Sequence, residues 1–130
     1  MIVDASAIIA VLRDEPDARA LSQALAKAVI CRTSAVTYVE AAVVTDSNRN
    51  PVLSRRFDYL MRDLGMQIEG VTARQAELAR QAYRDFGKGR HKAGLNLGDC
   101  FAYALAKDMD EPLLFKGNDF RHTDVEVAEF

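Results

Sequence analysis

The chain contains no tryptophan, and only three prolines, two cysteines and two histidines among its 130 residues. Each shortage removes a class of explanation. Cys31 and Cys100 lie far apart, with neither a CxxC pair nor a histidine at metal-ligand spacing. A structural zinc site therefore lacks ligands, and the two thiols read as buried small apolar groups rather than a disulfide. No apolar run approaches the roughly 20 residues needed to cross a bilayer. No signal peptide is expected either, since Asp4 interrupts the apolar opening with no basic segment before it. The expected location is the cytoplasm, away from any membrane. Strong charge of one sign is absent as well: the formal net charge is -2, so the total gives no pointer to nucleic acid.

What is present suits an ordinary globular chain. Hydrophobic residues make up 49% and charged residues 28%. That length and balance predict a single domain over residues 1–130 with a real core. Short β-branched runs alternate with helical patterns. Ile2-Val3 predicts a buried strand ending at Asp4, and a helix from about Ser6 to Leu12 follows it. Pro16 breaks that helix and opens a second, which runs to Lys27. Val29-Ile30-Cys31 reads as a second strand, and Thr33-Ser34 caps a helix through Thr45. Asn50-Pro51 starts a fourth helix that Gly65 closes.

Gln67 to Val71 reads as a third strand, and Thr72-Ala73-Arg74-Gln75 as a capping box for a helix ending at Gly87. Asn96 caps a helix from Leu97 to Lys107. Leu113-Leu114-Phe115 forms a fourth strand, Lys116 to Phe120 a turn, and Val125–Val127 a short further strand. This order predicts an α/β fold: a mostly parallel sheet of four to five strands with helices on both faces. Ligands of such sheets bind beyond the carboxyl ends of the strands.

Four acids can meet there. Asp4 follows the first strand, and Asp119 sits in the turn after the fourth. Glu40 shares a helix face with Val36, Val43 and Val44, where an unpaired carboxylate is costly unless paired or bound to a cation. If the core face is instead rotated towards Ala35, Val39 and Ala42, Glu40 stands at its edge. Asp99 falls in a first helical turn, where the helix dipole favours its charge. Singly, each acid has a plain structural explanation as a turn, cap or surface residue. Together they predict a cluster of oxygen ligands whose mutual repulsion calls for a cation. Hard carboxylates without clustered Cys or His favour Mg²⁺ or Mn²⁺. Such ions activate water and neutralise a leaving oxygen in phosphodiester hydrolysis, without a nucleophilic side chain.

The chain resembles PIN-domain ribonucleases, specifically the VapC toxins of type II toxin–antitoxin pairs. Four blocks carry the resemblance: Ile2-Val3-Asp4-Ala5-Ser6-Ala7, Tyr38-Val39-Glu40, Leu97-Gly98-Asp99-Cys100 with the helix that follows, and Pro112 to Phe120. It implies a PIN-like three-layer α/β/α fold and endonucleolytic cleavage of structured RNA, often tRNA, with Mg²⁺ or Mn²⁺. By position, Asp4, Glu40, Asp99 and Asp119 become the acidic ligands, with Ser6 orienting Asp4 or a water. Spacing after the last strand varies in the family, so Asn118 or Asp124 also stands as a candidate fourth ligand. The resemblance further implies a homodimer and a VapB-type antitoxin whose segment enters the acidic site.

Lys88, Arg90, His91 and Lys92 crowd one Gly-rich stretch and, with Lys116, are candidates to hold RNA phosphates. Two other readings compete. A phosphoacceptor signalling domain would use Lys116 after the last strand. It lacks an acidic pair after the first strand, and only Glu69 is offered near the middle of the sheet. A catalytically inactive PIN-like RNA-binding module would not need all four acids.

Overall fold

A computed structural model describes the whole chain, Met1–Phe130. Its four strands are β1 (Ile2–Val3), β2 (Arg32–Ser34), β3 (Gln67–Glu69) and β4 (Leu113–Leu114). They form one sheet in the order β3-β2-β1-β4, and every pairing is parallel. Parallel neighbours require crossovers, and helices supply each one. α1 (Ala5–Leu12) and α2 (Ala18–Lys27) lead from β1 to β2. α3 (Ala35–Asp46) and α4 (Pro51–Asp63) lead to β3, and α5 (Ala73–Phe86) and α6 (Leu97–Met109) lead to β4. The predicted three-layer α/β/α arrangement is present.

The sheet divides the core in two. Ile2 is in register with Leu113, and Val3 with Leu114. Successive strand side chains point to opposite faces. Ile2 and Leu113 therefore pack with Ala79, Ala82, Cys100 and Leu105 of α5 and α6. Val3 and Leu114 pack with Ile8, Leu21, Cys31, Ala41 and Phe57 on the other side. Cys31 and Cys100 are buried in different clusters, so both thiols are free.

The second strand departs from expectation. It begins at Arg32, not Val29. Val29 is 99% exposed and Ile30 38%, so that apolar pair lies outside the sheet. The strand is instead fixed by polar groups. Thr33 Oγ1 donates to the Val3 carbonyl at 3.0 Å, and Arg32 pairs with Glu69 at 2.9 Å and Glu111 at 3.1 Å. The third strand stops at Glu69 rather than Val71. Near the C-terminus the expected strand reduces to one bridge between Leu113 and Val127.

Capping chemistry sets the helix starts. Asn50 Oδ1 accepts from the Val52 N–H at 3.0 Å, with Pro51 in the first turn, as expected. Only half of the predicted box at Thr72 forms. Thr72 Oγ1 accepts from Gln75 N–H at 3.1 Å, but the Gln75 amide donates to Asp108 instead of returning to the cap.

Candidate active site

The end of β1 delivers Asp4 into the core, where it is 3% exposed. Its N–H still donates along the ladder to the Leu114 carbonyl at 2.9 Å, so the strand fixes where the side chain emerges. The same residue caps α1. Asp4 Oδ2 accepts from the Ser6 N–H at 3.0 Å and from Ser6 Oγ at 2.6 Å. Ser6 Oγ in turn accepts from the Lys116 N–H at 3.0 Å, which ties Asp4 to the segment after β4. Asp4 Oδ1 is buried with no hydrogen-bond partner. Burial pushes this carboxyl above its ordinary range; the Ser6 bonds oppose the shift, and the charge of Asp119 adds to it.

Asp99 is positioned by a complete capping box at the start of α6. Asn96 Oδ1 accepts from the Asp99 N–H at 2.9 Å, and Asp99 Oδ2 accepts from the Asn96 N–H at 3.0 Å. Burial raises the Asp99 carboxyl from 3.8 to about 7, with the charges of Asp4, Glu40 and Asp119 adding and the Asn96 bond opposing. One side chain therefore has two functions: its capping oxygen holds the helix start, while three neighbouring carboxylates bear on its charge.

Glu40 arrives from the second turn of α3. The buried face of that helix is Thr37, Ala41 and Thr45, which is neither of the faces read from its valines. Val39 and Val43 are 56% and 60% exposed. Glu40 stands between the buried and exposed faces, with its carboxylate against the backbone of Gly98. Burial and then the charge of Asp4 raise its affinity for a proton.

Asp119 opens a 3₁₀ turn, Asp119–His122, after β4. It is exposed, yet its charge acts on both Asp4 and Asp99. Asn118 beside it is exposed, and its side chain makes no capping bond. Asp124, the third candidate for the fourth oxygen, is engaged elsewhere. It accepts from Tyr103 Oη at 2.5 Å and pairs with Lys107 at 3.1 Å, and these bonds hold its carboxyl below the ordinary range against a burial effect that raises it. Asp124 is thereby tied to α6 through Tyr103 and Lys107.

The fold thus sets Asp99 within electrostatic range of Asp4, Glu40 and Asp119, and Asp4 within range of Glu40 and Asp119. Their side chains stand apart, and no three acids, histidines or cysteines close round a single point. Two properties fit the group to a hard cation. Every donor is an oxygen. Moreover, the orphaned Asp4 Oδ1 is a buried acceptor, which in a folded protein calls for a partner.

The five candidate phosphate ligands divide. Lys88 and Lys92 are exposed and make no ion pair, and the Arg90 guanidinium lies 5.5 Å from the centre of the Tyr83 ring. His91 Nδ1 accepts from the Ala93 N–H at 3.0 Å, and its ring meets Phe86 edge-on at 5.3 Å. Lys116 Nζ is paired with Glu15 at 3.3 Å. These contacts engage one nitrogen of the His91 ring and the Lys116 ammonium within the protein, and leave His91 Nε2 without a partner. Glu69, the phosphoacceptor candidate, is held by Arg32.

For two residues important to this geometry the sequence marks the position but not the role. The sequence marks Asn96 as a cap, and its spacing to Asp99 is that of a capping box. Gly98 stands in one of the blocks that carry the resemblance, but its contact with Glu40 has no local signal, because the two are distant in the chain.

The PIN-domain family model matches residues 1–126. Ribonuclease VapC28 of Mycobacterium tuberculosis is 59% identical over 129 residues, covering 98% of this chain and 97% of that protein. Among solved structures, M. tuberculosis VapC20, described as a sarcin–ricin-loop-cleaving toxin, has a TM-score of 0.75 at 16% identity, with 98% of this chain and 97% of that one covered. A toxin–antitoxin complex from Klebsiella pneumoniae gives 0.74 at 19% identity, covering 98% and 95%. These two structures share the fold, while the family match and the VapC28 identity settle membership. The chain belongs to the PIN-domain family, within the group of proteins called VapC.

Proposed function

We propose that this chain is a divalent-metal-dependent endoribonuclease, the toxin of a toxin–antitoxin pair, which hydrolyses phosphodiester bonds in structured RNA. The observation that carries the reading is the buried, partnerless Asp4 Oδ1, set among the charges of three further carboxylates. A ribonuclease name on a relative 59% identical over nearly the whole chain supports the activity. Transfer RNA is the substrate class to test first, because the resemblance to VapC toxins implies it.

Asp4, Glu40, Asp99 and Asp119 would hold Mg²⁺ or Mn²⁺, with Asn118 a further oxygen beside Asp119. When bound, the metal supplies Lewis acidity at the phosphate and makes water a competent nucleophile near neutral pH. The chain's own residues prepare for it. Ser6 orients Asp4 and favours its ionised form through two hydrogen bonds. The Asn96 N–H fixes Asp99 Oδ2. Ser6 Oγ also accepts from the Lys116 N–H, so the serine links Asp4 to the segment after β4. His91 Nδ1 accepts from the Ala93 N–H within its own loop, and a metal-activated water makes a separate general base unnecessary. Lys88, Lys92 and Arg90, on the loop that leads into Asn96 and Asp99, would hold the RNA backbone.

For partners, the structural likeness to a toxin–antitoxin complex supports a VapB-type antitoxin. Ala35, Val36, Val39 and Glu40 line an apolar groove beside the acids, where such a segment would enter. Exposed Val39 and Val43 of α3 and Val52 of α4 supply apolar surface for a homodimer.

The test is incubation of purified protein with total tRNA, with Mg²⁺ or Mn²⁺ and with EDTA. Discrete cleavage abolished by EDTA and by Asp4→Ala is expected. RNA binding without cleavage would identify an inactive module instead.

A further inference from the structure

Gly98 is the second residue of α6, and the backbone does not require glycine there, since its φ is not in the positive range. Glycine in a helix sacrifices conformational entropy that alanine would not. The structure supplies another reason. A Cβ on Gly98 would overlap Glu40 Oε2 outright, and would lie 2.6 Å from Glu40 Cδ and 3.0 Å from Oε1. The missing side chain is the space that the Glu40 carboxylate occupies. That space adjoins Asp99, the next residue, and lies within reach of the charge of Asp4.

We propose that Gly98 is a positioning residue, whose bare backbone admits the Glu40 carboxylate to the acidic cluster and sets its distance from Asp4 and Asp99. The inference rests on the metal-dependent reading of those carboxylates. Its steric part stands independently of that reading. Glu40 is the flexible partner in this contact: three side-chain torsions let it swing away, whereas the α6 backbone is held by its cap. A methyl group at position 98 would therefore leave the fold in place and drive the carboxylate outwards.

The experiment measures Mn²⁺ affinity by calorimetry and Tm in EDTA for the full chain and its variants. Gly98→Ala should weaken Mn²⁺ binding by about 10- to 100-fold, the range seen when groups that orient metal ligands are lost. Glu40→Ala should weaken it comparably, and adding Gly98→Ala to Glu40→Ala should cost nothing more. Glu40→Asp, shorter by one methylene, should weaken binding when Gly98 is retained but restore part of it in the Gly98→Ala background. In EDTA, Gly98→Ala should raise Tm when combined with Glu40→Ala, and fail to raise it with Glu40 present. Wild-type Mn²⁺ affinity in Gly98→Ala overturns the proposal. So does an undiminished Gly98→Ala effect in the Glu40→Ala background, which would place the effect on Asp99 or α6. If the wild type binds no Mn²⁺, the metal reading itself fails and takes this role with it; the Tm comparison then still reports the contact alone.

Discussion

Replacing Asp99 by Asn should make the metal-free protein more stable. Burial, aided by the charges of Asp4, Glu40 and Asp119, raises the Asp99 carboxyl from 3.8 to about 7. Between those values the folded chain binds more protons than the unfolded one. Stability therefore falls as pH rises through that window, and the penalty is complete above it. About three pH units correspond to about 4 kcal/mol if fully expressed. Asp99 is only partly buried, so solvent screening lowers the expectation to about 2 kcal/mol.

Asparagine retains an oxygen to accept from the Asn96 N–H and cannot ionise. Loss of its charge at the helix start subtracts about 0.3–1 kcal/mol. The net gain at pH 8 in EDTA is then about 1–2 kcal/mol, which raises Tm by about 3–8 °C for a chain of this length. Near pH 4 most of the gain should vanish, because the wild-type carboxyl is protonated when folded and about two-fifths so when unfolded. Millimolar Mg²⁺ or Mn²⁺ should stabilise the wild type and leave Asp99→Asn nearly unmoved, narrowing or reversing the difference. Thermal unfolding followed by circular dichroism measures all of these. Asp99→Asn no more stable than the wild type at pH 8 in EDTA, or a gain equally large at pH 4, would refute the reasoning.

Ser6→Ala removes the 2.6 Å bond to Asp4 and the link to Lys116 N–H, so it should cost about 1–3 kcal/mol of stability and about 10- to 100-fold in metal affinity; denaturant melts and calorimetry report the two losses separately. Lys88→Ala with Lys92→Ala should weaken RNA binding chiefly at low salt and flatten its salt dependence, whereas an unchanged salt slope returns the loop to a solvated surface. His91→Ala should instead lower Tm, because it removes the loop's bond to Ala93 N–H and the Phe86 contact; a variant that melts like the wild type but binds RNA more weakly would reassign that ring to phosphate.

Asp4 and Asp99 could be located from local sequence because each is placed by a local device: a strand end, and a cap four residues long. Glu40 was selected for standing among valines, and the structure does bring it to the other acids. The buried face of α3, however, is made by Thr37, Ala41 and Thr45. Val39 and Val43 face outwards and Val36 and Val44 are only partly buried, so hydrophobicity names a suitable residue for a reason the packing does not share. The same misreading displaced β2, where Val29 and Ile30 are exposed and Thr33 enters the sheet by bonding Val3. Contacts across the chain could not be read at all. Tyr103 and Lys107 claiming Asp124, Glu15 holding Lys116, and Gly98 making room for Glu40 depend on how helices meet, not on any local pattern.

The central claim is that these four carboxylates share a divalent cation. Anomalous scattering from crystals grown with Mn²⁺ tests it most directly. A peak coordinated by Asp4 Oδ1, with Asp99 and at least one of Glu40 and Asp119 around it, is the predicted result, as is its loss in Asp4→Asn. A well-ordered crystal with no peak among these residues at millimolar Mn²⁺, or with the peak elsewhere, would contradict it.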